Sequence, residues 1–204
     1  MEITPESKSS QDIYKILIGT VLPRPIAWVS TVDPLGKVNL APFSFFTVAS
    51  VNPPILCFSP LLKEDSIEKD TLVNINQTRE FVVNIVSEEI AGQMNETATD
   101  YPPEVDEFKV AGLTPVASEI VRPPRVKESP INLECQLYKT VMVGDGSAGS
   151  AMLIIGEIIL YHIADSLLDE GRIDTGLLKP VGRLAGQEYT TLGRRFTLVR
   201  KTLT

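Results

Sequence analysis

The fold is decided by the stretch from Leu22 to Pro60, which reads LPRPIAWVST (22–31), VDPLGKVNLAPFSFFTVAS (32–50) and VNPPILCFSP (51–60). Apolar, strand-prone runs alternate here with short turns, and small hydroxyl residues are spread through the runs. Pro42 follows the apolar pair Leu40-Ala41, whereas a strand tolerates proline only at an edge, at its first residue or at a bulge. We therefore expect an irregular strand edge near Pro42, with unpaired backbone groups that are free to bind a ligand.

The same stretch predicts three antiparallel strands. Residues 26–32 form the first strand, and residues 33–36 (DPLG) place proline and glycine where a tight turn requires them. Residues 38–49 return as the second strand, with an interruption near Pro42, and residues 55–59 form the third. We interpret the three strands as a meander, in which each strand pairs with the next one along the chain.

The rest of the chain adds more strands and a few short helices. Helical spacing is present at residues 10–19, at residues 63–74 with Asp65 or Ser66 as the cap, and after Ser87. Residues 80–86, 131–143 and 151–163 read as strands, and the last two are joined as a hairpin through residues 144–147. Residues 100–127 are irregular, but their apolar side chains favour an ordered wrap. The pattern predicts a mainly β, antiparallel architecture in one domain, residues 1–204.

Composition excludes several classes of protein. The net charge of −7 and the isoelectric point near 4.8 argue against nucleic acid or anionic membrane as the main partner, because both attract basic surfaces. The N-terminal residues are acidic and polar rather than a secretory signal, and no apolar run approaches the roughly 18 residues of a membrane span. Cys57 and Cys135 lie in apolar runs, which favours reduced thiols and a cytoplasmic location.

The sequence lacks the common catalytic motifs, namely a nucleophile elbow, a G-x-G-x-x-G turn after a strand and a Walker loop. A single histidine and two distant cysteines cannot build a usual zinc site, so we expect no metal site. Hydrolysis by a serine triad would depend on His162, and no serine is marked as its partner. Two interpretations of the hydroxyl-rich strands remain open. They are a barrel core whose serines bond neighbouring backbone, or a flat cofactor laid across strand edges.

Taken as one sequence block, residues 22–60 resemble the core pattern of the flavin reductase-like family, the FMN-binding split barrels. Seven later blocks are similar to that family in the same order: KDTLVNI, EFVVNIV, MNETATDYPPEVDEF, AGLTPVAS, ESPINLECQL, GEIILYHI and VGRLAGQEYTTLG. The resemblance covers nearly the whole chain. It implies a Greek-key split β-barrel, bound FMN with FAD as the alternative, and a homodimer with the flavin near the subunit interface.

The resemblance also implies which residues hold the flavin, whose ring is apolar on its faces and hydrogen-bonding on its rim. Hydroxyl groups for the ribityl chain or phosphate come from Ser30 and Thr31, and Lys69 and Thr71 also suit the phosphate. For Lys69 and Thr71, an exposed helix face is an equally good interpretation. Arg183 and Tyr189 are expected to reach the flavin from the partner subunit, and a surface ion pair is an equally good interpretation for Arg183. The remaining implied contacts are Asn39, Ala41, Pro42, Ser44, Phe45 and Ser59.

His162 has two possible roles. A lone histidine at the end of an apolar strand is more often structural. The resemblance instead implies that His162 lies near the nicotinamide and orients it. Hydride transfer depends on closeness and alignment more than on a proton relay, so no further catalytic residue is required.

Three functions follow as hypotheses. The first is an FMN-dependent NAD(P)H oxidoreductase that supplies reduced flavin or electrons to a partner monooxygenase or another acceptor. The second is an electron-transfer protein of the flavoredoxin type, whose bound FMN is reduced by another protein. The third is a β-barrel interaction domain without a cofactor.

Overall fold

A seven-stranded antiparallel sheet forms the centre of the fold in the computed structural model, which describes residues 1–62 and 68–201. The strands, in chain order, are β1 (Arg24–Pro25), β2 (Ala27–Val32), β3 (Val38–Phe43), β4 (Phe46–Val51), β5 (Pro54–Phe58), β6 (Glu80–Ile85), β7 (Pro115–Val116), β8 (Arg125–Val126), β9 (Ile131–Val143), β10 (Ala151–Ile163), β11 (Leu168–Asp169), β12 (Arg172–Ile173), β13 (Gly182–Arg183) and β14 (Tyr189–Thr190). The large sheet has the order β3-β2-β6-β9-β10-β5-β4. The short strands form a three-stranded sheet, β1-β13-β14, and the pairs β7-β8 and β11-β12.

Short helices flank this sheet. They are α1 (Ser10–Thr20), α2 (Asp70–Thr78), α3 (Ala91–Glu96), α4 (Glu107–Val110) and α5 (Thr175–Leu178). Ser9 caps α1 by accepting a hydrogen bond from the backbone N–H of Asp12. The helix predicted over residues 63–74 instead begins at Asp70 and ends at Thr78, because Lys69 is its N-cap residue and has an extended conformation. Residues 63–67, which include both predicted caps, lie outside the described residues. No helix in the described part of the chain is both long enough and apolar enough to span a membrane.

Local patterning predicts the two main hairpins correctly. Between β2 and β3, the Asp33 carboxylate accepts hydrogen bonds from the backbone N–H groups of Leu35 and Lys37, each at 2.8 Å. Gly36 has φ +89°, a conformation that suits glycine. The second hairpin joins β9 to β10, whose 13-residue strands have the predicted bounds. Residues 100–127 are the predicted ordered wrap, containing α4, β7 and β8.

The predicted meander is wrong. Residues 38–49 divide into two strands, β3 and β4, which lie at opposite edges of the sheet and do not pair with each other. Only Ser44 and Phe45 separate them, so the two edges are held within about 11 Å of each other. The backbone N–H of Ser59 donates to the Phe45 carbonyl at 2.9 Å across this joint. The sheet therefore curls into a barrel with an open seam, which is the split barrel that the family resemblance implies.

Apolar side chains pack on both sides of the curled sheet. Inside the barrel, the Phe58 and Phe81 rings lie 5.7 Å apart in an edge-on arrangement, and Gly156 leaves room for Phe81. On the outer face, Trp28 packs with Phe108, and its indole N–H donates to Thr97 at 2.8 Å. The outer packing fixes residues 86–126 against the sheet and determines what lies beside β3.

Candidate functional site

The outer edge of β3 is free, because β3 pairs with β2 on one side only. The backbone N–H of Leu40 points away from β2 and donates to Glu107 Oε2 at 3.2 Å. Backbone groups two residues apart point to the same side of a strand, so an N–H at position 42 would also point outward. Pro42 has no N–H to lose there, which explains how the strand accepts a proline. The expected edge is therefore present, but it is not irregular at Pro42: β3 pairs with β2 through Pro42 without a register shift, and the interruption comes after Phe43.

Three adjoining cavities follow this edge, with volumes of about 270, 180 and 240 Å³, and Pro42 lines all three. We call them together the β3-edge groove. Ten of the twelve residues predicted to bind the cofactor line it. They are Asn39, Ala41, Pro42, Ser44, Phe45, Ser59, Lys69, Thr71, Arg183 and Tyr189.

The start of α2 closes one end of the groove. Lys69 is the N-cap residue, and its ammonium lies 3.4 Å from the Asp100 carboxylate. Thr71 is buried, and its hydroxyl accepts a hydrogen bond from the Asn39 amide at 2.9 Å, which fixes α2 to the edge strand. The first backbone N–H groups of a helix have no partner within the helix, and the helix dipole favours an anion beside them. This end of the groove suits a phosphate.

The other end carries two arginines, one of which the sequence analysis missed. The Arg24 guanidinium is buried and donates to the carbonyls of Ile18, Val21 and Leu184 at 2.7 to 2.9 Å. Its Nε lies 3.4 Å from the Ser44 hydroxyl. Burial is the main reason that the pKa of Arg24 is lowered. An arginine between two prolines in an apolar run, as in PRPI, was the available sign.

Arg183 stacks on Tyr189 in the β13–β14 hairpin, with its guanidinium carbon 4.4 Å from the ring centroid. The Tyr189 hydroxyl donates to the Asn95 side chain at 2.8 Å, which holds the hairpin against α3. Both residues line the groove of their own chain, beside Arg24. The sequence-based expectation that they reach across from a partner subunit is not needed to bring them to this groove.

Ser30 and Thr31 do not reach the groove. Both are fully buried in β2, on the far side of the edge strand. The Ser30 hydroxyl donates to the Pro124 carbonyl, and Thr31 accepts a hydrogen bond from Asn74 at 3.0 Å. Their hydroxyl groups are used inside the protein because a buried polar group without a partner is costly. We therefore leave both residues out of the candidate site.

Glu107 brings a carboxyl group into the groove. Burial raises the pKa of this carboxyl, and the charges of Asp70 and Asp106 raise it further. The hydrogen bond from the Leu40 N–H acts in the opposite direction without overcoming them. A negative charge at this position is therefore disfavoured, both by the surroundings and by any anion that enters the groove.

His162 lies well away from the groove of its own chain. Pro42, Trp28, Asn84, Asn132 and His162 occupy one row across β3, β2, β6, β9 and β10. Four strand spacings separate the first from the last, which is about 19 Å along the sheet. His162 Nε2 lies 2.6 Å from the buried carboxylate of Glu134. Within one chain, His162 is not brought together with the other predicted residues.

Comparison with known families identifies the same region of the chain. The family model described as flavin reductase like domain matches residues 18–179. This span contains Arg24 and eight of the ten groove residues named from the sequence, and it ends before the other two, Arg183 and Tyr189.

Solved structures resemble the whole chain. Nitrilotriacetate monooxygenase component B from Bacillus cereus has a TM-score of 0.93 and 38% identity, covering 97% of this chain and 98% of that one. The 2-nitrobenzoate 2-nitroreductase NbaA from Pseudomonas fluorescens has a TM-score of 0.88 and 31% identity, covering 99% and 97%. A split-barrel protein from Shewanella frigidimarina has a TM-score of 0.84 at 22% identity, covering 98% and 100%, which confirms the fold.

Proposed function

Because the chain belongs to the flavin reductase-like family, we propose that it binds FMN in the β3-edge groove and reduces it with NAD(P)H. The free edge of β3 is the observation that carries the proposal. Outward-facing backbone groups and the Asn39 amide lie there beside apolar surfaces of Ala41, Pro42 and Phe45. A flat ring system with a polar rim matches that combination.

The two ends of the groove suit different parts of FMN. Lys69, Thr71 and the first N–H groups of α2 would hold the phosphate. Arg24 and Arg183 place positive charge at the other end, where it favours an electron-rich ring. Asn39 and Ser44 would bind the rim between them. FMN supplies the hydride-accepting chemistry when bound, and the side chains supply position and charge.

A homodimer would complete the site. His162 lines none of the three cavities of its own chain and lies four strands along the sheet from Pro42, so we propose that it reaches the dihydronicotinamide from a second subunit. Mixing Asn39→Ala subunits with His162→Ala subunits tests this. A shared site gives one intact pair in each mixed dimer, so activity rises on mixing, whereas a site built within one chain gains nothing.

We further propose that the reduced flavin serves a partner enzyme. The similarity to a protein named as a monooxygenase component supports this role. The alternative is an electron-transfer protein, whose FMN is reduced by another protein instead of by a nicotinamide. The two functions share one flavin site, so kinetics must separate them.

The deciding experiment is an absorbance spectrum of the purified protein with FMN, followed by anaerobic titration with NADH and with NADPH. We expect a bound-flavin spectrum that bleaches with one or both nucleotides. Bleaching by neither, together with reduction by a protein donor, would favour the electron-transfer function. A protein that does not bind FMN at all would contradict both.

A further inference from the structure

Glu134 is a fully buried carboxylate with an unusual number of donors around it. It lies on the outer face of β9, beneath residues 119–121. Oε1 accepts a hydrogen bond from the Glu119 N–H at 2.8 Å, and Oε2 accepts from the N–H groups of Ile120 and Val121 at 2.8 and 3.1 Å. His162 Nε2 approaches Oε1 at 2.6 Å. None of these contacts belongs to the β3-edge groove.

The carboxylate can be expected to stay charged. Burial by itself would raise the pKa of Glu134, but the three backbone donors and His162 outweigh it and lower the pKa. A protonated carboxyl would also place a hydrogen against one of these donors. Glu134 is therefore an acceptor for all four contacts.

This arrangement decides which nitrogen of His162 carries a hydrogen. The nitrogen facing an ionised carboxylate must be a donor, so in the neutral ring the hydrogen lies on Nε2 and Nδ1 becomes an acceptor. The His162 side chain keeps 20% of its surface exposed, whereas Glu134 has none. The ring is thus held from beneath and remains reachable from outside.

We propose that Glu134 is a positioning residue for hydride transfer: it fixes the His162 ring with Nε2–H inward, so that Nδ1 accepts the carboxamide N–H of the dihydronicotinamide. The role in hydride transfer rests on the proposed function, because it needs a bound nicotinamide. The position of the hydrogen on the His162 ring does not rest on it. A carboxamide is the donor-bearing substituent of that substrate, and an acceptor held in one orientation selects one placement of the ring.

In the Glu134→Gln variant we expect the hydrogen of the neutral His162 ring on the other nitrogen. The amide oxygen is best placed at Oε2, where two N–H groups require an acceptor, and the amide nitrogen then faces His162 and Glu119. The nitrogen donates to His162 Nε2, so the hydrogen of the neutral ring moves to Nδ1. Because His162 is the only histidine, ¹⁵N NMR of histidine-labelled protein reports this ring alone.

We expect the Nε2–H form in the wild-type protein and the Nδ1–H form in Glu134→Gln, both at a pH where the ring is neutral. Glu80→Gln is the matched control, since Glu80 holds the same loop through the Arg122 N–H and Nε at 3.1 Å without touching His162. It should keep the wild-type spectrum. A wild-type Nδ1–H form would overturn the inference even if Glu134→Gln does not fold.

Kinetics then test the consequence for hydride transfer. Losing one oriented hydrogen bond should slow flavin reduction about tenfold in Glu134→Gln and in His162→Ala, with FMN affinity retained. The double variant should lose no more than His162→Ala alone, because Glu134 acts through His162. A changed ring form with unchanged reduction rates in both variants would overturn the role in hydride transfer. An absence of any nicotinamide activity in the wild type would instead count against the proposed function.

Discussion

The β3-edge groove and the polar cluster on the outer face of the sheet contain the same kinds of residue but use them in opposite ways. We call the second region the outer-face network and define it as Ser30, Asn84, Asn132 and Glu134, all buried. Its members satisfy one another and the backbone of residues 119–126. The groove instead leaves amide, hydroxyl and backbone groups facing an open volume.

The difference lies in the strands and not in the side chains. β2 and β9 are each paired on both sides and covered by residues 86–130, so every polar atom there must find a partner inside the protein. No buried side-chain nitrogen or oxygen in residues 1–62 and 68–201 lacks a hydrogen bond. β3 is an edge strand, and its outward groups face a groove. A polar side chain on the large sheet is therefore left facing a groove where its strand lacks a neighbour.

The largest expected effect is loss of stability on replacing Asn84 by alanine. Asn84 donates to the Trp28 carbonyl at 2.9 Å and accepts hydrogen bonds from the Val126 N–H and the Asn132 amide at 2.9 and 2.8 Å. Removing it leaves several buried groups unpaired and should lower the free energy of unfolding by about 3 kcal/mol. Urea unfolding measures this. A loss below 1 kcal/mol, or a loss of FMN affinity in the folded variant, would break the proposed contrast.

The matching change in the groove is Asn39→Ala. We expect FMN affinity to fall about tenfold, since one rim hydrogen bond and the support of Thr71 are lost, while the protein stays folded. Fluorescence titration with FMN measures the affinity. Asn76→Ala is the control, because this exposed amide lies on α2 and bonds Thr140 instead of the groove. Equal affinities for both variants would remove Asn39 from the site.

A pair of serine variants sharpens the comparison within a single residue type. Ser30→Ala should cost about 1 kcal/mol of stability, since its buried hydroxyl bonds Pro124 and Asn84, with FMN affinity unchanged. Ser44→Ala should do the reverse and weaken FMN binding about threefold at nearly constant stability. Thermal unfolding and FMN titration of the two variants give the answer. The opposite assignment of effects would mean that Ser30 is the ligand contact.

Most local structure was predictable from the sequence. The turn at residues 33–36 and the hairpin of β9 and β10 follow from turn residues and alternation, both of which act over short distances. The division of residues 38–49 into β3 and β4, at opposite edges of the sheet, was not predictable, because Ser44 and Phe45 continue the apolar run in which both strands lie. Whether two successive strands pair or move to opposite edges depends on contacts with β6, β9 and β10, which are remote in sequence.

The residues of the candidate site were likewise only partly predictable from the sequence. The resemblance named residues on β3, on α2 and in the β13–β14 hairpin, and the fold brings these together. It also named Ser30 and Thr31, whose sequence context resembles that of Ser44 but whose strand is covered. Arg24 was missed because its burial depends on carbonyls of Ile18, Val21 and Leu184, the last 160 residues away.

The smallest expected effect is that of replacing Glu107, which lines the β3-edge groove and is largely buried. The folded pKa of its carboxyl is raised, so the folded state disfavours the ionised form. The stability that this carboxyl contributes is therefore fully present below the pKa that Glu107 has in the unfolded chain. It is lost as the pH rises through the pKa that Glu107 has in the folded protein. Glu107→Gln should remove this loss, because the amide oxygen can still accept the Leu40 N–H. The variant should gain stability at neutral pH, and the gain should shrink in acid.

The same variant should also bind FMN more tightly, by about threefold at low ionic strength, because a negative charge is removed from the groove that we propose for the phosphate. Glu89→Gln is the control, since Glu89 is exposed on the surface and changes the net charge equally. FMN titrations at low and high salt separate the two contributions, because screening should remove most of the gain. If both variants bind FMN with the same affinity at low salt, the Glu107 charge does not face the ligand. The FMN site would then end before it reaches α4.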